Sequence, residues 1–160
     1  MKPLLVILMG SKADCSHAEK IAEAATAFGL EVEQRIGSAH KTAEHVLNLL
    51  KTYEADPRPK VYITIAGRSN ALSGFTDGCV ASPVIACPPY AEAFGGADIY
   101  SSLRMPSGIA PAVVLEPTNA ALLAAKILGV YDTEVRAEVK MYQQRMQALL
   151  INDDAELRSE

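Results

Sequence analysis

His40 stands in the run Ser38-Ala39-His40-Lys41, directly after an apolar β-type segment, Val32 to Ile36, and a turn at Gly37. An imidazole takes and gives a proton near neutral pH, and a lysine beside it is a point charge suited to a phosphate monoester. Two other turns share this build. Leu4 to Met9 runs into Gly10-Ser11-Lys12-Ala13-Asp14, and Val61 to Ala66 runs into Gly67-Arg68-Ser69-Asn70. Ser11, Ser38 and Ser69 are hydroxyl donors at three equivalent places. Any one of them could simply cap a helix, but three at strand ends point to a shared binding role. Asp14 could accept from ribose hydroxyls or cap the helix that follows, and the two uses are compatible. Arg68 could pair with an anionic ligand group or tie its own loop to an Asp or Glu elsewhere. His17 and His45 fall inside predicted helices with no partner at metal-ligand spacing, and neither is assigned a role.

These turns meet only if the strands before them are parallel. In an open parallel sheet all carboxyl ends face one way, so three such turns share the crevice where ligands bind. Each turn also leads into a helix whose first backbone N–H groups are unpaired and aimed at that crevice, a ready anion site. The pattern predicts a helix over Ser16 to Phe28 with Gly29 as its cap, and a strand over Glu31 to Ile36. A helix from about Thr42 to Tyr53 follows, broken by Asp56 to Pro59, then a strand over Val61 to Ala66. A short helix is predicted within Leu72 to Ala81 and a strand over Val84 to Cys87. From Pro88 to Pro111 the chain is rich in Pro, Gly and Ser, which predicts a folded cover over the site. A strand over Ala112 to Leu115 precedes a helix over Thr118 to Leu128, apolar all round and so expected to be buried on every side. The last helix, about Thr133 to Leu150, bears the stripe Val135, Val139, Tyr142, Met146 and Leu149. It lies beyond the strand-helix repeat, and its stripe is expected to pack on another subunit.

The alternation predicts an α/β fold, one domain over residues 1–160, with a central parallel sheet and helices on both faces. A chain of 160 residues, 49% hydrophobic, suffices for one full core. A net charge of -4 with scattered Lys and Arg gives no basic face, so nucleic acid is not an expected partner. Cys15, Cys79 and Cys87 are odd in number and lack Cys-x-x-Cys spacing, which argues against a disulfide framework and a zinc site and fits a reducing cytoplasm. The Leu4 to Met9 run is too short for the ~7–15-residue core of a signal peptide, and no other run approaches the ~20 residues of a membrane span. No Walker loop, no Gly-x-Gly-x-x-Gly and no Ser-His-Asp arrangement occurs, so the chemistry is expected to proceed without a bound cofactor.

Six pieces, in order, carry a wider resemblance. They are Met9-Gly10-Ser11-Lys12-Ala13-Asp14, Ser38-Ala39-His40-Lys41, Ala66-Gly67-Arg68-Ser69-Asn70, Pro83-Val84-Ile85, Ser101-Ser102-Leu103-Arg104-Met105-Pro106-Ser107-Gly108 and Asn119-Ala120-Ala121-Leu122-Leu123-Ala124-Ala125. Together they make nearly the whole chain resemble the aminoimidazole ribonucleotide (AIR) carboxylase family of purine biosynthesis. The resemblance implies a three-layer flavodoxin-like fold, a cytoplasmic homo-octamer and no cofactor. It implies His40 as the catalytic residue, with Ser11, Asp14, Ser38, Lys41, Gly67, Arg68 and Ser69 binding substrate. One branch of the family is a mutase that moves a carboxyl group from N5 to C4 of the imidazole; the other takes free CO2. The mutase branch has an arginine after the histidine and a Gly-Gly-Ala-Ala-His-Leu-Pro-Gly loop. Here Lys41 and Gly67-Arg68-Ser69-Asn70-Ala71-Leu72-Ser73-Gly74 stand instead, and both resemble the carboxylase domain of the animal bifunctional enzyme. Ala13 also replaces a second serine usual in the mutase turn. The expected activity is therefore that of a stand-alone class II carboxylase, converting AIR and CO2 to 4-carboxy-AIR (CAIR). The mutase is the nearest alternative, and a non-catalytic flavodoxin-like nucleotide-binding module is the alternative of another class. Strand one ends in Met9-Gly10 rather than an acidic cluster, and the chain has no Trp, which weighs against phosphoacceptor and flavin modules.

Overall fold

The computed structural model describes residues 1–90 and 93–159. Five strands, β1 (Leu4–Met9), β2 (Glu31–Ile36), β3 (Lys60–Ile65), β4 (Val84–Ala86) and β5 (Ala112–Val113), form one sheet in the order β2-β1-β3-β4-β5. Every pairing is parallel. β1 and β3 are buried at every position, which is why β1 reads as an unbroken apolar run and β3 as a mostly apolar one. Lys60 can open a buried strand because its Nζ donates to the Asp56 carbonyl at 2.7 Å. This moves β3 one residue ahead of its predicted start. β5 is shorter than predicted, because after Val114 donates to the Ala86 carbonyl the chain turns into a helix that starts at Pro117.

Alternation along the strands sends odd and even residues to opposite faces. Leu5, Ile7, Met9, Ile63, Ile65 and Ile85 pack under α1 (Cys15–Ala27) and, further along the chain, a helix over Pro117–Leu128. Leu4, Val6, Leu8, Tyr62 and Val84 pack under α2 (Ala43–Glu54) and α3 (Ala71–Asp77). The result is the flavodoxin-like three-layer arrangement. Gly29 closes α1 at φ 81°, a conformation that favours glycine, as its predicted capping place requires.

The Pro88 to Pro111 stretch is more structured than a loop. It holds a 3₁₀ helix over Ala93–Ile99 and a single turn, α4 (Tyr100–Leu103). It seats on the small face of α3. A β-carbon at Gly74 would lie 3.1 Å from Met105 Sδ, one at Gly78 3.1 Å from Ile109 Cδ1, and Asp77 accepts from the Ala110 N–H at 2.7 Å.

The next helix, α5 (Pro117–Leu128), buries Ala120, Ala121, Ala124, Ala125 and Leu128, while Asn119 and Lys126 face solvent. Its burial is thus deep on one side rather than complete. The last helix, α6 (Thr133–Leu157), is capped by Asp132, which accepts from the N–H groups of Glu134 and Val135. It extends past the predicted Leu150 because no Gly or Pro interrupts residues 131–157. Its first half packs on its own chain: Val135 and Val139 are buried, and Tyr142 meets Phe28 edge-on at 5.4 Å. The stripe therefore divides, since Met146 and Leu149 are exposed together with Leu150, Ile151 and Leu157.

Candidate active site

The sheet continues one residue beyond its strands. Gly37 N–H donates to the Met9 carbonyl, Gly10 N–H to the Ile65 carbonyl and Cys87 N–H to the Thr64 carbonyl, each at 2.9 Å. These bonds bring the turns after β2, β1 and β3 side by side at one edge. β1 has β2 on one side and β3 on the other, so the chain reverses its winding between β1 and β3, and a crevice opens there.

Asp14 sits in that crevice. Its Oδ2 accepts from the Ser11 backbone N–H at 3.0 Å and from the Ser11 hydroxyl at 3.2 Å. β-Carbons at Gly10 and Gly67 would stand 3.8 Å from its Oδ2 and Oδ1 respectively, so the carboxylate lies between these two turns. Asp14 precedes α1 without capping it through its side chain; the carboxylate turns back to Ser11 instead.

Ser38 shapes the neighbouring turn. Its hydroxyl accepts from the Lys41 N–H at 3.2 Å, and its own N–H donates to Thr42 Oγ1 at 2.9 Å. His40 and Lys41 project from this turn and are exposed, and among the described residues the His40 ring makes no hydrogen bond. Gly37 is needed because a β-carbon there would come within 2.6 Å of Val46 Cγ2 on α2.

Beyond β3 lies a pocket of about 310 Å³, lined by Gly67, Arg68, Pro89, Asp98, Ile99 and Leu115 among others. Of the residues singled out in the sequence, Gly67 and Arg68 line this pocket. Ser11, Asp14, Ser38, His40, Lys41 and Ser69 do not. The geometry is therefore an open row of turns over β2 and β1, leading to a mostly apolar pocket over β3 and β4. Arg68 makes no ion pair among the described residues.

Sequence reasoning did not single out Asp98, Ile99 or Glu116, which the cover and the start of α5 bring to the pocket. Nor did it find a part for His17. Its Nε2 lies 3.4 Å from Cys87 Sγ, joining α1 to the end of β4 just before the Pro88-Pro89 wall. Burial pushes the Cys87 thiol up to about 12, with Glu116 adding to the effect, so Cys87 is a neutral packing group and not a thiolate nucleophile. Burial also lowers the His17 imidazole below its ordinary value. Among the described residues no cluster of three or more His, Cys, Asp or Glu side chains is arranged to hold a metal ion.

The model of the AIR carboxylase family matches residues 4–148. A phosphoribosylaminoimidazole carboxylase of Treponema denticola is 63% identical over 158 residues, 99% of either chain. One from Archaeoglobus fulgidus is 52% identical over 153 residues, 96% of this chain and 84% of that one. The human bifunctional phosphoribosylaminoimidazole carboxylase/phosphoribosylaminoimidazole succinocarboxamide synthetase is 44% identical over 136 residues, 85% of this chain and 32% of its own length. A crystal structure of Treponema denticola PurE superposes with a TM-score of 0.96 at 63% identity, over 98% of this chain and 99% of that one. A match that runs from β1 into α6 takes in every strand and all three turns, and the chain belongs to the AIR carboxylase family.

Proposed function

We propose that the protein carboxylates AIR at C4 with CO2, reversibly, to give CAIR in purine biosynthesis. The observation that carries this reading is the row of three Gly/Ser turns beside a mostly apolar pocket, with Arg68 at the junction. An anionic nucleotide fits the turns, and a small uncharged electrophile fits the pocket.

In this mechanism the phosphate lies against Ser11, Ser38, Lys41 and the N-terminal ends of the helices, with Asp14 near the ribose. The 5-amino group pushes electron density onto C4. C4 attacks CO2, held above it by donors of the Gly67 to Ser69 turn. A carbon–carbon bond forms while one C=O π pair moves onto oxygen, and Arg68 faces the new carboxylate. C4 then bears both hydrogen and carboxylate. His40 takes that proton, and the C–H electron pair restores the aromatic ring. The reverse reaction returns the proton to C4 as CO2 leaves. Pro89 and Ile99 give the pocket apolar wall surface, which suits an uncharged CO2.

Lys41 and the Arg68-Ser69-Asn70 loop favour the carboxylase over the mutase. Supporting an oligomer, up to the octamer that the family resemblance implies, are the exposed apolar residues of the second half of α6. A cytoplasmic location is part of the same proposal; among the described residues no helix is long and apolar enough to cross a membrane.

The test offers AIR with CO2/bicarbonate and no ATP, beside the N5-carboxy isomer with free CO2 depleted. CAIR from the first substrate supports the carboxylase. CAIR from the second alone means a mutase and defeats the argument from Lys41 and Arg68.

A further inference from the structure

Asn70 is 2% exposed, and both polar atoms of its side chain are hydrogen-bonded. Oδ1 accepts from the Ser73 N–H at 3.3 Å and so caps α3. Nδ2 donates to Ser102 Oγ at 2.8 Å, and Ser102 is itself 2% exposed. The Asn70 backbone N–H donates to Ser101 Oγ at 2.9 Å. A serine hydroxyl has one proton. Ser101 gives it to the Asp98 carbonyl at 2.8 Å, the nearer of two acceptors, the other being the Arg68 carbonyl at 3.4 Å.

Capping α3 needs only an acceptor, and serine or aspartate would serve as well. The bond from Nδ2 is additional to the cap. It joins the Gly67 to Asn70 turn to the segment from Asp98 to Ser102, whose residues stand 31 and 32 places away in sequence. Both segments contribute to the walls of the pocket, the first through Arg68 and the second through Asp98 and Ile99. Among the described residues, every hydrogen bond between the two segments runs through Asn70 or Ser101.

We propose that Asn70 is a positioning residue for the carboxylation, acting through Ser101 and Ser102 to fix the spacing of these walls. It touches no reacting atom. It holds the N–H groups of the Gly67 to Ser69 turn and the Arg68 side chain at a set distance from Asp98 and Ile99, where a shift of an ångström would spoil the capture of CO2. The kinetic side of this inference rests on the carboxylase reading above; the structural side does not.

Two variants separate the latch from the cap. Asn70→Ser retains a capping oxygen but is too short to reach Ser102, and Ser102→Ala removes the partner while leaving the cap intact. Each should lower kcat/KM for CO2 by roughly 10- to 100-fold, with nucleotide affinity within about threefold because the phosphate turns lie elsewhere. The double variant should be no worse than the more impaired single one, since the same bond is lost once. Amide exchange over residues 97–103 of the free protein should rise in both single variants. If only the thermal midpoint falls, while exchange and the kinetic constants stay at wild-type values, Asn70 is a cap and the proposal is overturned. If the wild type makes CAIR only from the N5-carboxy isomer, the carboxylase reading fails on its own, and the exchange measurement still decides the latch.

Discussion

Asp14 Oδ2 receives both hydrogen bonds that Ser11 can donate, from the backbone N–H at 3.0 Å and from the hydroxyl at 3.2 Å. The first turn is thereby closed by its own carboxylate, and Oδ1 is left toward Gly67. It also qualifies the reading of Ser11 as a free phosphate donor. Its hydroxyl is committed to Asp14 and reaches a phosphate only by releasing that bond.

Asp14→Asn retains the shape of the carboxylate but removes its charge. A charge-assisted hydrogen bond exceeds a neutral one by about 1.4 kcal/mol, so KM for the nucleotide should rise about tenfold with kcat little changed. Steady-state kinetics at saturating CO2 would show this, and an unchanged KM would detach Asp14 from nucleotide binding.

His40→Asn should bind nucleotide as the wild type does while turnover falls by roughly 10²- to 10⁴-fold, the range for loss of a general acid–base. Because the ring is exposed and hydrogen-bond-free among the described residues, the thermal midpoint should not move. Near-normal turnover would remove His40 from the mechanism.

Gly37→Ala would place a methyl group 2.6 Å from Val46 Cγ2 on α2. Val46 is fully buried and β-branched, so it has little freedom to retreat, and overpacking should cost about 1–3 kcal/mol. Urea unfolding of Gly37→Ala, Val46→Ala and the double variant should give a double-variant loss smaller than the sum of the singles. Strict additivity would mean that the two groups do not meet.

The His17 imidazole is lowered chiefly by burial, helped by Lys20 and opposed by Cys87, Asp14 and Glu116. A lowered imidazole contributes stability that is complete above its unfolded value, near ~6.5, and is lost as pH falls through the folded value, because the unfolded chain then binds the extra proton. Unfolding free energy should therefore decline as pH drops below ~6.5, and His17→Gln should flatten that decline. Urea titrations at neutral and mildly acid pH decide it; equal slopes in both proteins would exclude His17 as the source.

Leu150 is 68% exposed on the second half of α6. Leu150→Glu should therefore leave the fold of one chain intact, judged by circular dichroism, yet shift light scattering toward smaller species. A wild-type protein that scatters as a stable monomer would defeat the proposed assembly.

Much of the frame was legible locally. β1 and β2 follow their predicted bounds because a strand buried on both faces and an edge strand each leave a direct pattern of side chains. The three turns were legible for a similar reason, since Gly and Ser beside a charged residue directly after an apolar run mark a strand end. The extent of α6 and the brevity of β5 were less so. The brevity of β5 depends on where the chain turns toward α5, and the far end of α6 carries no stop signal that would mark its boundary.

The sequence by itself determined the parallel α/β frame, the three turns and the residue types that His40, Asp14 and Arg68 bring to them, because periodicity and turn chemistry act over a few residues. Only the tertiary structure decided that the Asp14 carboxylate lies between the Gly10 and Gly67 turns and that Met105 and Ile109 rest on the glycines in and just after α3. It alone paired Asn70 with Ser102 behind the pocket lining. Contacts between distant segments depend on how the layers close on one another, and no local pattern records which side chain will fill the space beside a given glycine or meet a given buried amide.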